Sequence, residues 1–276
     1  MTETIRELSE LLGSKAERNN RGPTMTDEEF EKHSIEKENQ RSGNLTGYDC
    51  PICKNKGYYF RYDSEHRCRI QVRCECMPRR EAIERLNRSG LSEVMQKMTF
   101  DTYQTNEDWT RRICAAAKAY AANPAGWFFI GGQVGAGKTH ICTAILMELS
   151  KKYDVHYMLW KDEYEKIKSV QNDPAGVSIK QKLKDVKVLY IDDLFKCANR
   201  DSAGKLRPNP GETNLAQELL YCRYRKDDLF TIISTELFID DLIQIDEGVG
   251  SRIAERSKAY RLEVARDPAR NRRTSY

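Results

Sequence analysis

Apolar residues recur along this chain with two different spacings, and the boundary between them outlines an architecture. Gly126-Trp127-Phe128-Phe129-Ile130, Val186-Lys187-Val188-Leu189-Tyr190-Ile191 and Leu229-Phe230-Thr231-Ile232-Ile233-Ser234-Thr235 are short apolar runs, the pattern of strands buried on both faces of a parallel sheet. Between such runs the apolar positions fall at helical intervals, as from His140 to Leu149. From about Trp109 onward, strand-like and helical segments alternate, which predicts an α/β domain with a parallel central sheet flanked by helices.

The first hundred residues read differently. Ile5, Leu8, Leu11 and Leu12 have helical spacing, the Arg21-Gly22-Pro23-Thr24 break follows, and a charged run extends from Thr26 to Arg41. So little apolar surface cannot build a core, so residues 1–46 read as a helical, partly disordered interaction arm. Residues 47–88 hold a cysteine-rich module and a basic helix from Arg79 to Arg88. Residues 89–108 then form a linker to a domain over 109–276. No internal repeat or low-complexity tract interrupts this order.

Composition narrows the classes. The 276 residues suffice for one large domain and a small one. With 39% hydrophobic residues, no apolar stretch approaches the ~18 residues of a membrane span. The mixed-charge start, Met1-Thr2-Glu3-Thr4-Ile5-Arg6-Glu7, lacks an apolar signal core, so a cytoplasmic protein without a membrane partner is expected. The net charge of +4 is small, but from Arg252 to Arg273 eight Lys/Arg stand against three Asp/Glu. That excess is equally suited to meeting phosphate or to forming a solvated face.

One segment dictates a chemistry. Gly132-Gln133-Val134-Gly135-Ala136-Gly137-Lys138-Thr139 matches G-x-x-x-x-G-K-[ST] at every fixed position. The glycines let backbone N–H groups turn toward a triphosphate, Lys138 reaches the β- and γ-phosphates, and the Thr139 hydroxyl ligates Mg²⁺. The strand before it and the helix after it are the context that separates this motif from a fortuitous glycine turn. The run ending in Ile191-Asp192-Asp193 supplies the second element: Asp192 for the Mg²⁺ shell and Asp193 to polarise the attacking water. Asp193 is one methylene shorter than the usual Glu, so slow hydrolysis is expected. Glu236, after the third run, lies where a side chain positions water. Gly250-Ser251-Arg252-Ile253-Ala254-Glu255-Arg256 opens a helix with exposed arginines.

Of nine cysteines, five cluster. Cys50-Pro51-Ile52-Cys53 and Cys74-Glu75-Cys76 form two close pairs that together give Zn²⁺ four soft ligands. Cys68 and His66 are spare candidates. Free surface thiols and an iron–sulfur cluster are the competing readings. Four thiolates leave no open position, so such a site is structural. Cys114, Cys142, Cys197 and Cys222 read as ordinary core residues.

Together these motifs resemble one family. Gly-Lys-Thr followed by His140, the Ile-Asp-Asp-Leu strand, the Ile-Ile-Ser-Thr-Glu-Leu strand, the Ser-Arg-Ile helix and the zinc region resemble bacterial replicative helicase loaders of the DnaC/DnaI type, nearest to those of phages and mobile elements. The likeness covers about residues 48 to 265. It implies an AAA+ fold of the initiator branch without a C-terminal helical lid, and an ATPase using ATP, Mg²⁺ and Zn²⁺. It also implies single-stranded DNA, a hexameric helicase ring and further copies of the chain as partners. Residues 1–46 match only in position, as the helicase-binding arm. Arg252 resembles the arginine finger that acts on a neighbouring subunit, with Arg256 as its alternative. Many members carry Asn where this chain has Glu236. A transposition helper ATPase shares the core but usually lacks the four-cysteine module, and a zinc-containing scaffold using ATP only as a ligand would not need the full catalytic set.

Overall fold

The computed structural model describes residues 25–170, 173–196, 199–202 and 206–273, with the backbone alone at 199 and 200. The proposed helix through Ile5, Leu8, Leu11 and Leu12, and Cys197, lie outside the described residues. The chain divides into two compact units, the first ending at Met77.

In the smaller unit, α1 (Asp27–Gln40) starts on a capping box. Thr26 Oγ1 accepts from Glu29 N–H (3.2 Å) and Glu29 Oε2 accepts from Thr26 N–H (2.8 Å), which satisfies two otherwise orphaned donors. β1 (Tyr58–Asp63) and β2 (Cys68–Arg73) form an antiparallel hairpin, Tyr58 opposite Arg73 and Asp63 opposite Cys68. Asn39 of α1 grips β1 through both Phe60 N–H and Phe60 C=O, each at 2.8 Å. The charged helix is thus part of the cysteine unit, which corrects the expected boundary at residue 46. Its ordering comes from the cap, from polar bonds to a strand and from the burial of one apolar side chain, Ile35.

The larger unit begins at Pro78, one residue into α2 (Met77–Arg88), and continues with α3 (Asp108–Ala122). The expected linker between them is packed, not free: Ser89 is fully buried, and Leu91 and Tyr103 enter the main core. The basic helix belongs here too, because Arg85 donates to the carbonyls of Ser150 (2.5 Å) and Lys151 (2.7 Å). Then follow β3 (Trp127–Gly132), α4 (Lys138–Ser150), β4 (Val155–Leu159), α5 (Trp160–Ser169), α6 (Pro174–Asp185), β5 (Val188–Asp192), α7 (Pro210–Tyr224), β6 (Phe230–Ser234), α8 (Ile239–Ile245), α9 (Glu247–Arg256) and β7 (Arg261–Val264). The five strands are parallel, in the order β4-β5-β6-β3-β7.

β3 is buried along its whole length. Trp127 and Phe129 feed one core cluster, Phe128 and Ile130 the other, which is the period-two alternation of a strand covered on both faces. The order also inserts β6 between β3 and β5, so the β6 end emerges between the glycine loop and Asp192. Arg223 of α7, fully buried, ties the opposite end of the sheet by donating to Thr231 Oγ1, Leu183 O, Val186 O and Phe230 O at 2.7–3.0 Å. Burial lowers its guanidinium to about 10, still protonated at neutral pH. No described helix is long and apolar enough to cross a membrane.

Candidate functional site

The glycine loop runs from the end of β3 into the N-terminus of α4. Gly132, Gly135 and Gly137 all have left-handed φ values (99°, 74° and 80°), conformations that residues with a Cβ adopt at a cost. α4 then opens with Lys138, so the free N–H groups and positive end of its dipole face the loop. Lys138 Nζ donates to Gly132 O (3.0 Å) and Gln133 O (2.7 Å). Burial pushes its ammonium down, while the nearby Glu236 and Asp193 carboxylates pull it back up.

Asp192 ends β5 and is buried. Its Oδ1 accepts from Tyr190 (2.7 Å), from Thr139 Oγ1 (3.2 Å) and from the Ser234 hydroxyl, and its Oδ2 accepts from Tyr157 (3.2 Å). Burial raises this carboxyl above the usual range, and the Ser234 and Tyr190 hydroxyls oppose the rise. Three other hydroxyls thus hold one carboxylate against the Thr139 hydroxyl, a pair of oxygen groups that suits a hard cation.

Asp193 follows in the left-handed region (φ 56°), which Asp tolerates better than bulkier residues. Its N–H donates to Ser234 Oγ (3.3 Å) and its Oδ2 accepts from Lys196 (2.5 Å). Lys196 also lies 3.8 Å from Glu236. Lys138, Thr139, Asp193, Lys196 and Glu236 line one cavity of about 290 Å³. His140 lines it as well and braces the segment before α3, reaching Thr99 O (3.0 Å) and Thr102 Oγ1 (3.2 Å). The fold therefore brings the glycine loop, both aspartates and Glu236 together.

Arg252 stands apart from that cavity. It lies on α9, donates to Gly248 O (2.6 Å), and stacks over Tyr221 (5.0 Å) and Tyr224 (5.7 Å). Neither Glu255 nor Asp246 is its ion partner: Glu255 accepts from Tyr224, and Asp246 caps Val249 N–H. Arg256 pairs with Asp227 at 2.6 Å.

Sequence reasoning missed Lys196, Arg272 and Arg273 on the cavity wall, and the tyrosine and serine donors around Asp192. The cationic excess after Arg252 was the signal for the two arginines; nothing local marked their return to the loop.

The cysteines form a second centre. Pairing Tyr58 with Arg73 makes Gly57 and Cys74 neighbours, and Cys74 N–H donates to Gly57 O (2.9 Å). Cys50, Cys53, Cys74 and Cys76 are buried with their sulfurs all within 4.8 Å of one another. Cys50 to Cys74 measures 3.7 Å and Cys53 to Cys76 3.6 Å. Four sulfurs ~2.3 Å from a tetrahedral Zn²⁺ have edges of roughly 3.8 Å, so the donor set fits that ion. Burial pushes the Cys74 thiol up; at Cys53 the same effect is outweighed by the Gly57 N–H and the neighbouring thiols, leaving it at about 6. The spare candidates are excluded from this centre. His66 pairs with Asp63 in the hairpin turn and Cys68 is exposed opposite Asp63, roughly 17 Å along a strand rising ~3.4 Å per residue. Cys114 and Cys142 are buried as expected, and Cys222 is half-buried.

Residues 94–205 match the family model described as the bacterial DnaA ATPase domain. Among curated proteins, the uncharacterized protein YqaM of Bacillus subtilis (strain 168) is 30% identical over 214 residues, covering 74% of this chain and 66% of YqaM. Protein XkdC of the phage-like element PBSX, from the same strain, is 28% identical over 223 residues, covering 77% of this chain and 81% of XkdC. Among solved structures, that of the DnaC helicase loader superposes with a TM-score of 0.52 at 19% identity, covering 63% of this chain and 99% of the other.

Proposed function

We propose that the chain is an ATP-dependent loader of a replicative DNA helicase, of the DnaC type that its motifs resemble and whose solved structure shares its fold. The observation that carries the ATPase half of this reading is the convergence of Lys138, Thr139, Asp192, Asp193 and Glu236 at one end of the sheet. Loading as the purpose of that ATPase is supported by the likeness to the helicase loader and by the four-cysteine unit ahead of the ATPase domain.

In this reading the loop N–H groups from Gly132 to Thr139 and the start of α4 cradle a nucleoside triphosphate. Lys138 exchanges its carbonyl partners for the β- and γ-phosphates. Thr139 and Asp192 would hold Mg²⁺, which when bound neutralises charge on the phosphate oxygens. Asp193 takes a proton from the attacking water as its oxygen bonds to the γ-phosphorus and the bond to the β-bridging oxygen breaks. Glu236 positions that water. Asp193 must first leave Lys196, and this adds to its short side chain as a reason for slow turnover.

Arg252 acts from a neighbouring subunit, so hydrolysis reports assembly. The ATPase domain grips single-stranded DNA through cations from Arg252 onward, and the N-terminal region with the cysteine unit holds the helicase ring. Zn²⁺ on Cys50, Cys53, Cys74 and Cys76 is structural.

The test is co-purification of the full chain with purified replicative helicase, with ATP and without it. Capture that is lost on deletion of residues 1–77 supports loading. A helicase ring that passes unretained under every nucleotide condition would refute it.

A further inference from the structure

Beyond β7 the chain turns back over the glycine loop. Gln133 N–H donates to Val264 O (2.9 Å), Gln133 Oε1 accepts from Asp267 N–H (2.9 Å), and Arg272 N–H donates to Gly135 O (3.1 Å). The approach is so close that a Cβ on Gly132 would lie 2.2 Å from Val264 O, and one on Gly135 1.9 Å from Asn271 Oδ1. Two loop glycines are therefore required by this segment as well as by their own φ values.

The segment is anchored at its far end. The Arg272 guanidinium lies over Tyr103 (5.2 Å) and Trp109 (5.3 Å) and donates to Gln104 O (2.7 Å). Arg270 approaches the same indole at 5.8 Å. Such cation–π contacts gain strength where water is partly excluded. With Arg272 fixed, Arg273 is carried to the cavity wall beside Lys196, close enough for its charge to bear on that ammonium. Lys196 is matched there by Asp193 and Glu236. Among the described residues no carboxylate pairs with Arg273. A cation left over at the phosphate end of a cavity is complemented by an anionic ligand, and a guanidinium makes paired hydrogen bonds to phosphate oxygens.

We propose that residues 264–273 form a strap that closes the nucleotide site from within the same chain, with Arg273 contacting the phosphates and Arg272 as the positioning residue. The inference rests on the nucleotide-binding reading above and adds to it a contact that no neighbouring subunit supplies.

The experiment is equilibrium binding of fluorescent ATP and ADP analogues with Mg²⁺ to the full chain. Arg273→Ala should weaken ATP about tenfold and ADP less than about threefold, because a charge-assisted phosphate contact is lost. Arg273→Lys, which keeps the charge but not the paired donors, should recover part of the difference. Arg272→Ala should weaken ATP and ADP alike, because the whole strap loosens. Arg273→Ala binding both nucleotides as the parent does would overturn the proposal while leaving the glycine-loop reading intact. A parent that binds neither nucleotide would overturn both.

Discussion

Thr139 and Asp192 meet at 3.2 Å, hydroxyl to carboxylate, although they sit on different elements joined by two further helices and a strand. Ser234, from the strand inserted between β3 and β5, hydrogen-bonds the same Asp192 oxygen. The arrangement proposed to hold Mg²⁺ is therefore a property of the sheet order, and side chains on three elements must be in register to make it. Binding and chemistry should separate when these residues are changed. Lys138→Ala should abolish tight ATP binding, since it removes the cation facing the β- and γ-phosphates. Asp193→Asn should keep binding and lose turnover by on the order of a hundredfold or more, the scale of a lost general base. Parallel measurements of nucleotide affinity and phosphate release check both; parental turnover in Asp193→Asn would remove Asp193 from the mechanism.

Arg223 should matter to stability out of proportion to its distance from the nucleotide. Its four acceptors include the carbonyls of Leu183, Val186 and Phe230 at the end of the sheet away from the glycine loop. Arg223→Met removes the donors and leaves one buried and two part-buried carbonyls short of a partner. The expected loss is ~2–4 kcal/mol, from acceptors left without a donor in and near the core. Denaturant unfolding of the variant measures it, and a loss below about 1 kcal/mol would mean that the carbonyls find other donors.

How much of this was legible beforehand depended on range in sequence. The glycine loop, the Asp192 strand and the cysteine pairs are local patterns, and each landed where its spacing implied. The helix carrying Arg252 begins earlier than expected, at Glu247, because Asp246 caps it through Val249 N–H. What could not be read was long-range pairing. Nothing near Asn39 announces Phe60, nothing near Arg272 announces Tyr103 and Trp109, and Leu91 looks like a linker residue until the core receives it. The order β4-β5-β6-β3-β7 is likewise set by which faces the helices cover, a global choice rather than a local one.

The cysteine unit should hold one Zn²⁺ per chain and depend on it. Burying four thiols in a unit this small leaves little other core, so metal binding and folding should be coupled there. Cys74→Ser/Cys76→Ser should lose zinc and the ordered hairpin while leaving nucleotide binding in place. Cys68→Ser should keep full zinc, since that residue is exposed at the far end of the hairpin. Metal analysis with circular dichroism checks this; full zinc in the double variant would redirect the ligand assignment.

ATP should favour binding of single-stranded DNA with little sequence preference. Contacts to phosphate release counterions whatever the base, so affinity should fall steadily as salt rises. Fluorescence anisotropy across a salt series, with and without ATP, measures the slope. Equal affinity for duplex and single strand, unaffected by nucleotide, would point to general DNA binding rather than loading.

Arg252 should complete the ATP site of a neighbouring copy. Its guanidinium is outside the cavity of its own chain, held over Tyr221 and Tyr224 by stacking and by Gly248 O rather than by a carboxylate. An arginine kept from its nearest acids retains its charge for an external anion, and the γ-phosphate transition state is such an anion. Tyr221 is 46% exposed beside it, as a stacking surface at a subunit boundary would be before assembly. Arg252→Ala and Lys138→Ala proteins should each be inactive alone. Mixed in equal amounts, they should regain part of the parental rate at boundaries that pair an intact glycine loop with an intact Arg252. Arg256→Ala, whose partner Asp227 lies in the same chain, should stay active without mixing. Failure of the mixture to recover, with co-assembly demonstrated by sedimentation, would show that Arg252 does not act across subunits.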